Sequence, residues 1–302
     1  MSKKNNGLTL VELLIVLVVM SLIMGGLVAA FISHSRISAA EESRMEVQQN
    51  LRVVTDRLKH VLRHAGFGCY DSFPDKTMII SEPQGEDDIE IDSFIFDINN
   101  TDVGDHNIVS DSLIFVYAFK EISSVNHKYF TLFPNIDGNI FYRPDEFDDL
   151  EDDINDNDLS ILEVIPVRIF VSDDDEGYRL YLKNFAYNDR GQWILSESIE
   201  DISFQYYENG AWHADENTIS DMNNIRKIRF WLLGRSKKSV PGAGQQDLEV
   251  VVDKDSLADD DICIDNVDNN KCVVYRVPSV DEEGRIRMLS RGEVTLRNAV
   301  LN

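Results

Sequence analysis

Leu8 to Phe31 form an almost unbroken apolar run in which Glu12 is the only charged side chain. The run is as long as a spanning helix needs, about 17–25 residues. From Leu13 to Phe31 there is no charge at all, and twelve positions are Leu, Ile, Val or Phe. Each of those twelve contributes about −0.3 to −0.6 kcal/mol to membrane insertion. Their sum of about −4 to −7 kcal/mol outweighs the roughly 2.5–3.5 kcal/mol that a buried acid costs. The segment therefore enters a bilayer despite Glu12, and an acid kept at such a cost asks for a function. A short polar leader with Lys3 and Lys4 precedes the run and ends at Gly7. Its two positive charges hold the leader on the cytoplasmic side, so the bulk of the chain faces outward. Secretory signals are cut after their apolar region, at small residues. Here the glycine that could mark a cut lies before that region, so cleavage leaves the apolar helix on the mature chain.

After Ser33-His34-Ser35-Arg36 the sequence turns polar but keeps a helical period. Val47, Leu51, Val54, Leu58, Val61, Leu62 and Ala65 recur at steps of three and four and so share one face. No proline interrupts Leu8 to Ala65, and Gly66-Phe67-Gly68 supplies a stop. One continuous helix over 8–66 would be about 88 Å long. Its spanning portion is 8–31.

The remainder, 67–302, reads as strands and turns. Ser112 to Phe119 has the pattern of a buried strand, and Val164 to Val171 with Tyr178 to Ala186 flanks an acidic turn ending at Gly177. Asn209-Gly210, and Asp137-Gly138 within Ile136 to Ile140, are hairpin signals between apolar neighbours. Ile225 to Leu233 mixes apolar residues with Arg and Lys, as a half-exposed strand does. Val240 to Gly244 and Ser256 to Asn270 read as loops. No internal repeat is visible, and the expected class is α+β: a long helix on one β-rich head carrying acidic insertions.

Acids outnumber bases by 54 to 29. A surface of that sign repels phosphate backbones, so no nucleic-acid partner is expected. Asp145 to Asp158 is dense in acids, and Asp153-x-Asn155-x-Asn157 begins like a calcium loop. It then departs from that pattern, with Asp158 in place of glycine and Glu163 one position short of the bidentate acid. Asp259, Asp261, Asp265 and Asp268 are weaker calcium candidates beside solvated acidic loops as the ordinary explanation. No other cofactor is expected. Cys263 and Cys272 bracket a short Asp/Asn-rich loop and are the expected disulfide, with Cys69 to either one as the alternative. The spacing lacks the second pair or neighbouring histidines of a zinc site. His60 and His64 lie a helical turn apart on a polar stem, the ordinary setting of a surface pair. There is no Gly-x-Ser-x-Gly, no phosphate-cradling glycine loop and no His-Glu-x-x-His, so the chain reads as a non-enzyme.

The Gly7-Leu8-Thr9-Leu10-Val11-Glu12 string, with its charged leader and following apolar run, resembles the class III signal of type IV prepilins and type II secretion pseudopilins. Leu8 stands where Phe is usual. Arg57-Leu58 through Ala65-Gly66-Phe67-Gly68, the strand Ile202 to Tyr207 with the Gly210-Ala211-Trp212 turn and Ile225 to Phe230, and Val294 to Asn298 resemble PilW-type minor pilins, which are related to J-type pseudopilins. The resemblance implies a leader of 1–7 cut by a prepilin peptidase between Gly7 and Leu8, N-methylation of Leu8, and assembly through Glu12 with help from Thr9. It implies partners in the peptidase, other minor pilins, the major pilin and an inner-membrane assembly platform. It places the chain first as a single-pass protein of the inner membrane with a periplasmic head, then in a pilus or pseudopilus. The implied role is a minor pilin that primes or caps a type IV pilus. A J-type pseudopilin, or a membrane-anchored binding module, are the alternatives that the residues leave open.

A side chain at Gly7 would block close approach of the peptidase. Gly7→Val should leave a full-length, membrane-bound precursor that retains Lys3 and Lys4, which intact-mass spectrometry of the membrane fraction detects.

Overall fold

A computed structural model describes residues 10–67, 78–80, 89–91, 95–98, 112–121, 130–133, 140–141, 160–174, 177–185, 192–213, 219, 224–240, 247–253, 265–268, 271–281 and 284–296. The class is α+β. One helix, α1 (Leu10–Leu62), precedes every strand. The strands, in chain order, are β1 (Met78–Ile80), β2 (Ile89–Ile91), β3 (Ile95–Ile98), β4 (Ser112–Glu121), β5 (Phe130–Phe133), β6 (Ile140–Phe141), β7 (Ser160–Asp174) and β8 (Gly177–Asn184). They continue with β9 (Gln192–Ser196), β10 (Ile199–Glu208), β11 (Ala211–His213), β12 (Lys227–Ser239), β13 (Asp247–Asp253), β14 (Asp265–Asp268), β15 (Lys271–Pro278) and β16 (Arg285–Thr295). Every pairing among them is antiparallel.

α1 runs unbroken for 53 residues, about 80 Å. It passes straight through Gly25-Gly26, where an added Cβ would meet nothing within 4 Å. The regular helix ends at Leu62, short of the expected 66. Its last turn tightens instead, with His64 and Ala65 N–H groups donating to the carbonyls of Val61 and Leu62, three residues back. Gly66 then takes φ +70°, the left-handed conformation that lets a chain leave a helix without a Cβ clash.

Four strands in the order β11-β10-β12-β16 form the sheet on which the second half of α1 lies. Side chains alternate along each strand, and Gly234 and Ser290 both meet the helix. Ile228, Phe230 and Leu232 on β12 therefore face α1, together with Val294 on β16 and Phe204 and Tyr206 on β10. These residues, with Val47, Leu51, Val54, Leu58 and Leu62, belong to one core. The Asn209-Gly210 signal is the β10–β11 turn, both residues at positive φ, as a type I′ hairpin requires.

β12 corrects one expectation. It is a buried central strand, not a half-exposed one. On its outer face Arg229 lies 3.7 Å above the Trp212 ring and Lys227 5.3 Å from the Tyr207 ring. Arg229 folds flat over the aromatics and buries its own stem, and Trp231 beside it is only 7% exposed.

A seven-stranded sheet joins β3-β4-β7-β5-β6, with β8 and β9 continuing from the far half of β7. β4, β7 and β8 carry the strands expected from Ser112, Val164 and Tyr178 onward, and β5 pairs with β6 on either side of the Asp137-Gly138 signal, whose own residues lie outside those described. β10 abuts this sheet at β4, β7 and β8. β13-β15-β14 is a separate three-stranded sheet inserted between β12 and β16, although those two strands pair directly from Lys227↔Thr295 to Ser239↔Arg285. Asp265–Asp268 form β14, a strand within the stretch read as a loop; Cys272 and Lys271 of β15 supply the pairing partners that organise it.

Two glycines make room in this packing, one for the helix and one for a ring on the neighbouring strand. A Cβ on Gly234 would lie 2.8 Å from Leu51 Cγ, and one on Gly292 would lie 2.1 Å from Phe230 Cζ. Gly292→Val should cost about 1–3 kcal/mol by overpacking. The measurement is chemical denaturation followed by tryptophan fluorescence, with Gly26→Ala, which meets open space, as the control expected to show no loss.

Candidate functional site

The chemistry-bearing end of the molecule is the start of α1. Glu12 lies in its first turn, where the positive end of the helix dipole favours a carboxylate. Leu10, Val11, Leu13 and Leu14 around it are all exposed, and exposed apolar side chains continue up the helix to Ile32. No part of the span is buried against the head. A surface of this extent is far beyond the few hundred Å² of apolar patch a soluble monomer exposes. It needs lipid or other helices around it. Gly7, Leu8 and Thr9, expected to act with Glu12, lie outside the described residues.

The second half of α1 meets the opposite situation. Ser43, Val47, Leu51, Val54, Thr55, Leu58 and Leu62 are buried against β12 and β16. Thr55 and Ser290 hydroxyls lie 3.2 Å apart and satisfy each other inside this contact. The Gly66 N–H donates to the Val116 carbonyl at 2.7 Å, tying the end of the stem to β4 of the larger sheet. The stem is thus clamped along five turns and pinned at its end.

A polar seam closes the junction of the two sheets. Arg235 on β12 lies 4.5 Å from the Tyr178 ring on β8 and 3.6 Å from the Asp281 carboxylate. Arg287 on β16 holds Glu200 on β10 through two hydrogen bonds, one of 2.7 Å from Nε. The Arg285 N–H donates to Asp281 Oδ1 at 2.8 Å. Burial pushes the Tyr178 phenol above its ordinary pKa; Asp173 and Glu200 add to the rise, while Arg235 and Arg287 oppose it. The phenol therefore remains a neutral ring beneath a guanidinium. No local sequence signal marks this seam, because its members come from four separated segments.

The remaining sequence candidates divide as follows. His60 and His64 stack edge to face at 5.2 Å, His64 Nδ1 lies 2.8 Å from the His60 carbonyl oxygen, and the His64 ring also lies 6.3 Å from the Tyr117 ring on β4. Asp265 and Asp268 stand at the two ends of β14. Asp259, Asp261, Cys69 and Cys263 lie outside the described residues, as does Asp153 to Asp158, and Cys272 is placed on β15 opposite Asn266 and Val252. Among the described residues no three His, Cys, Asp or Glu side chains gather as a metal-holding group.

Comparison with known families matches residues 2–28 to the prokaryotic N-terminal methylation motif. The chain carries a prepilin-type N-terminus. That motif spans Gly7, Leu8, Thr9 and Glu12 and ends inside the exposed apolar half of α1. Among solved structures the chain is similar to a type IV-like pilin from Thermus thermophilus, at 10% identity and a TM-score of 0.37, covering 83% of this chain and 96% of that one. No curated protein matches.

The prepilin-type helix is held to its head by a handful of fully buried residues. Leu58→Ala should destabilise the head by about 2–5 kcal/mol, while Val53→Ala, on the exposed side of the same helix, should stay within about 0.5 kcal/mol. Urea denaturation of the two variants in detergent, side by side, measures the difference.

Proposed function

We propose that this chain is a minor pilin, a low-abundance subunit that helps prime or cap a type IV pilus. The observation that carries the reading is the single helix with two halves. One half is apolar on every side, uncovered and headed by the N-terminal methylation motif; the other is docked on a large head. Such a subunit is held in the membrane until an assembly platform draws it out, and then exchanges lipid for neighbouring helices. In this reading the leader 1–7 is removed by a prepilin peptidase, Leu8 is N-methylated, and the head, 67–302, stands outside the inner membrane. The protein acts as a substrate of processing and a structural subunit, not as an enzyme. The Ala65-Gly66-Phe67-Gly68 junction and the Val294 to Asn298 ending support the PilW type over the J-type pseudopilin. An outward-facing head also supports oxidation of Cys263 with Cys272.

Glu12 is the centre of the assembly step. Cleavage creates a positive amine on Leu8 that must enter an apolar filament core. An unpaired charge there is strongly disfavoured, and a carboxylate on the adjoining subunit is its natural partner. Glu12 follows Leu8 by about one helical turn, so an axial step between neighbours brings amine and acid together, with Thr9 assisting by hydrogen bonding.

Glu12→Leu should insert and be cleaved normally, because the change only adds apolar surface. Removing one partner of a buried pair costs about 3–5 kcal/mol, which is more than a hundredfold in an equilibrium. Mature protein should therefore accumulate in the membrane while surface filaments decline. Immunoblots of membrane and sheared-filament fractions check this, and wild-type recovery of the variant in sheared filaments would overturn the reading.

A further inference from the structure

The apolar stripe of α1 does not by itself fix where the helix sits along the sheet. Shifting the helix by one turn toward its own N-terminus puts Leu51, Leu58 and Leu62 in the places of Val47, Val54 and Leu58. Apolar replaces apolar at each, and the last place, passing from Leu62 to Gly66, loses its side chain. Two contacts one turn apart do not survive the shift. On the helix-facing row of β12, Ile228, Phe230 and Leu232 carry side chains and Gly234 does not. The room at Gly292 is taken by the Phe230 ring, so the opening at Gly234 is left to receive the helix. Leu51 fills it, with Cγ, Cδ2 and Cδ1 at 2.8, 3.0 and 3.1 Å from where a Cβ would stand. One turn on, Thr55 is buried and its hydroxyl lies 3.2 Å from that of Ser290 on β16. In the shifted register Thr55 would underfill the Gly234 opening and bring a hydroxyl into it, and Lys59 would face Ser290. A void and a buried hydroxyl without its partner are both disfavoured. The Gly66–Val116 hydrogen bond acts beyond the regular helix and fixes its end, not the phase of the turns below.

We propose that Leu51 in the Gly234 opening and the Thr55–Ser290 pair set the axial register of the stem on the head. The four are positioning residues, and the hydroxyl pair acts as a buried polar pair does when it fixes register between packed helices. What they position is Glu12. It lies 39 residues before Leu51, about 60 Å along an unbroken helix. An error of one turn displaces it by about 5.4 Å relative to the head, beyond the roughly 4 Å reach of an ion pair. On the minor-pilin reading, a neighbour's amine then misses Glu12 whenever the two heads are in contact. That consequence rests on the reading; the register itself rests on the packing alone.

The test places nitroxide labels, carried on p-acetylphenylalanine so that the native cysteines are untouched, at the exposed positions Ile37 and Thr295. Pulsed electron paramagnetic resonance on the full-length protein in detergent reads the distance between them. The otherwise unchanged chain and Thr55→Ser, which keeps the hydroxyl, should each give one distance. Leu51→Val with Thr55→Val and Ser290→Ala offers the opening a valine in either register, and should add a second distance longer by about 5 Å. Thr55→Val with Ser290→Ala alone should show that second distance as a minor population, and it serves where the triple variant fails to fold. Leu58→Ala is the control for stability: it weakens the packing but keeps both contacts, and should give one distance. A single distance in both erased variants, or the second distance in Leu58→Ala as well, would overturn the proposal. In cells the triple variant should be processed normally and decline in sheared filaments. If it shows both distances and yet reaches the wild-type level there, the register contacts stand and the minor-pilin reading fails instead.

Discussion

One helix has to satisfy two environments, and the rest of the molecule follows from that constraint. Over its first half α1 offers apolar side chains in every direction, which only a bilayer or a bundle of like helices can cover. Over its second half it offers a single stripe, from Val47 to Leu62, which a sheet can cover. Because the backbone is continuous, the head cannot take its position independently of the membrane. The four-stranded sheet exists as a platform for that stripe; Gly234 is where the platform is cut away to receive Leu51, while Gly292 makes room within the sheet for the Phe230 ring.

The features that were legible in the sequence are those whose signal is local. Period three-to-four spacing located the docked face of α1 residue by residue, since every position from Val47 to Ala65 named for it is buried or packed against the core. Asn209-Gly210 located a hairpin because its two positive φ values are a property of those two residues. The N-terminal string was legible because the methylation motif is a linear segment of the chain.

What was not legible depends on partners distant in the chain. The Arg and Lys of β12 looked like a solvent face, but Arg229 is covered by Trp212, seventeen positions away, and shares Glu293 with Lys227 and Arg291. Asp265–Asp268 looked like loop because its acids have low strand propensity; pairing with β15 overrides that preference. The close approach at Gly234 is equally invisible, since the residue it admits is Leu51 on another element. Local rules gave the elements and the docked stripe, and tertiary pairing decided which charged positions would be covered.

The insertion between β12 and β16 has a mechanical meaning. Tension drawn along α1 passes into β12 and β16 through Leu51, Thr55 and their neighbours, and those two strands are cross-linked to each other by direct pairing along their length. β13, β14 and β15 form a separate sheet beyond the far ends of that pair, off the path from α1 to β12 and β16. Such a region is free to lengthen, shorten or change its surface chemistry without altering how firmly the stem is gripped. Drift in sequence between relatives would therefore concentrate at 247–278, and the strands that bear the pull would hold their register while it does.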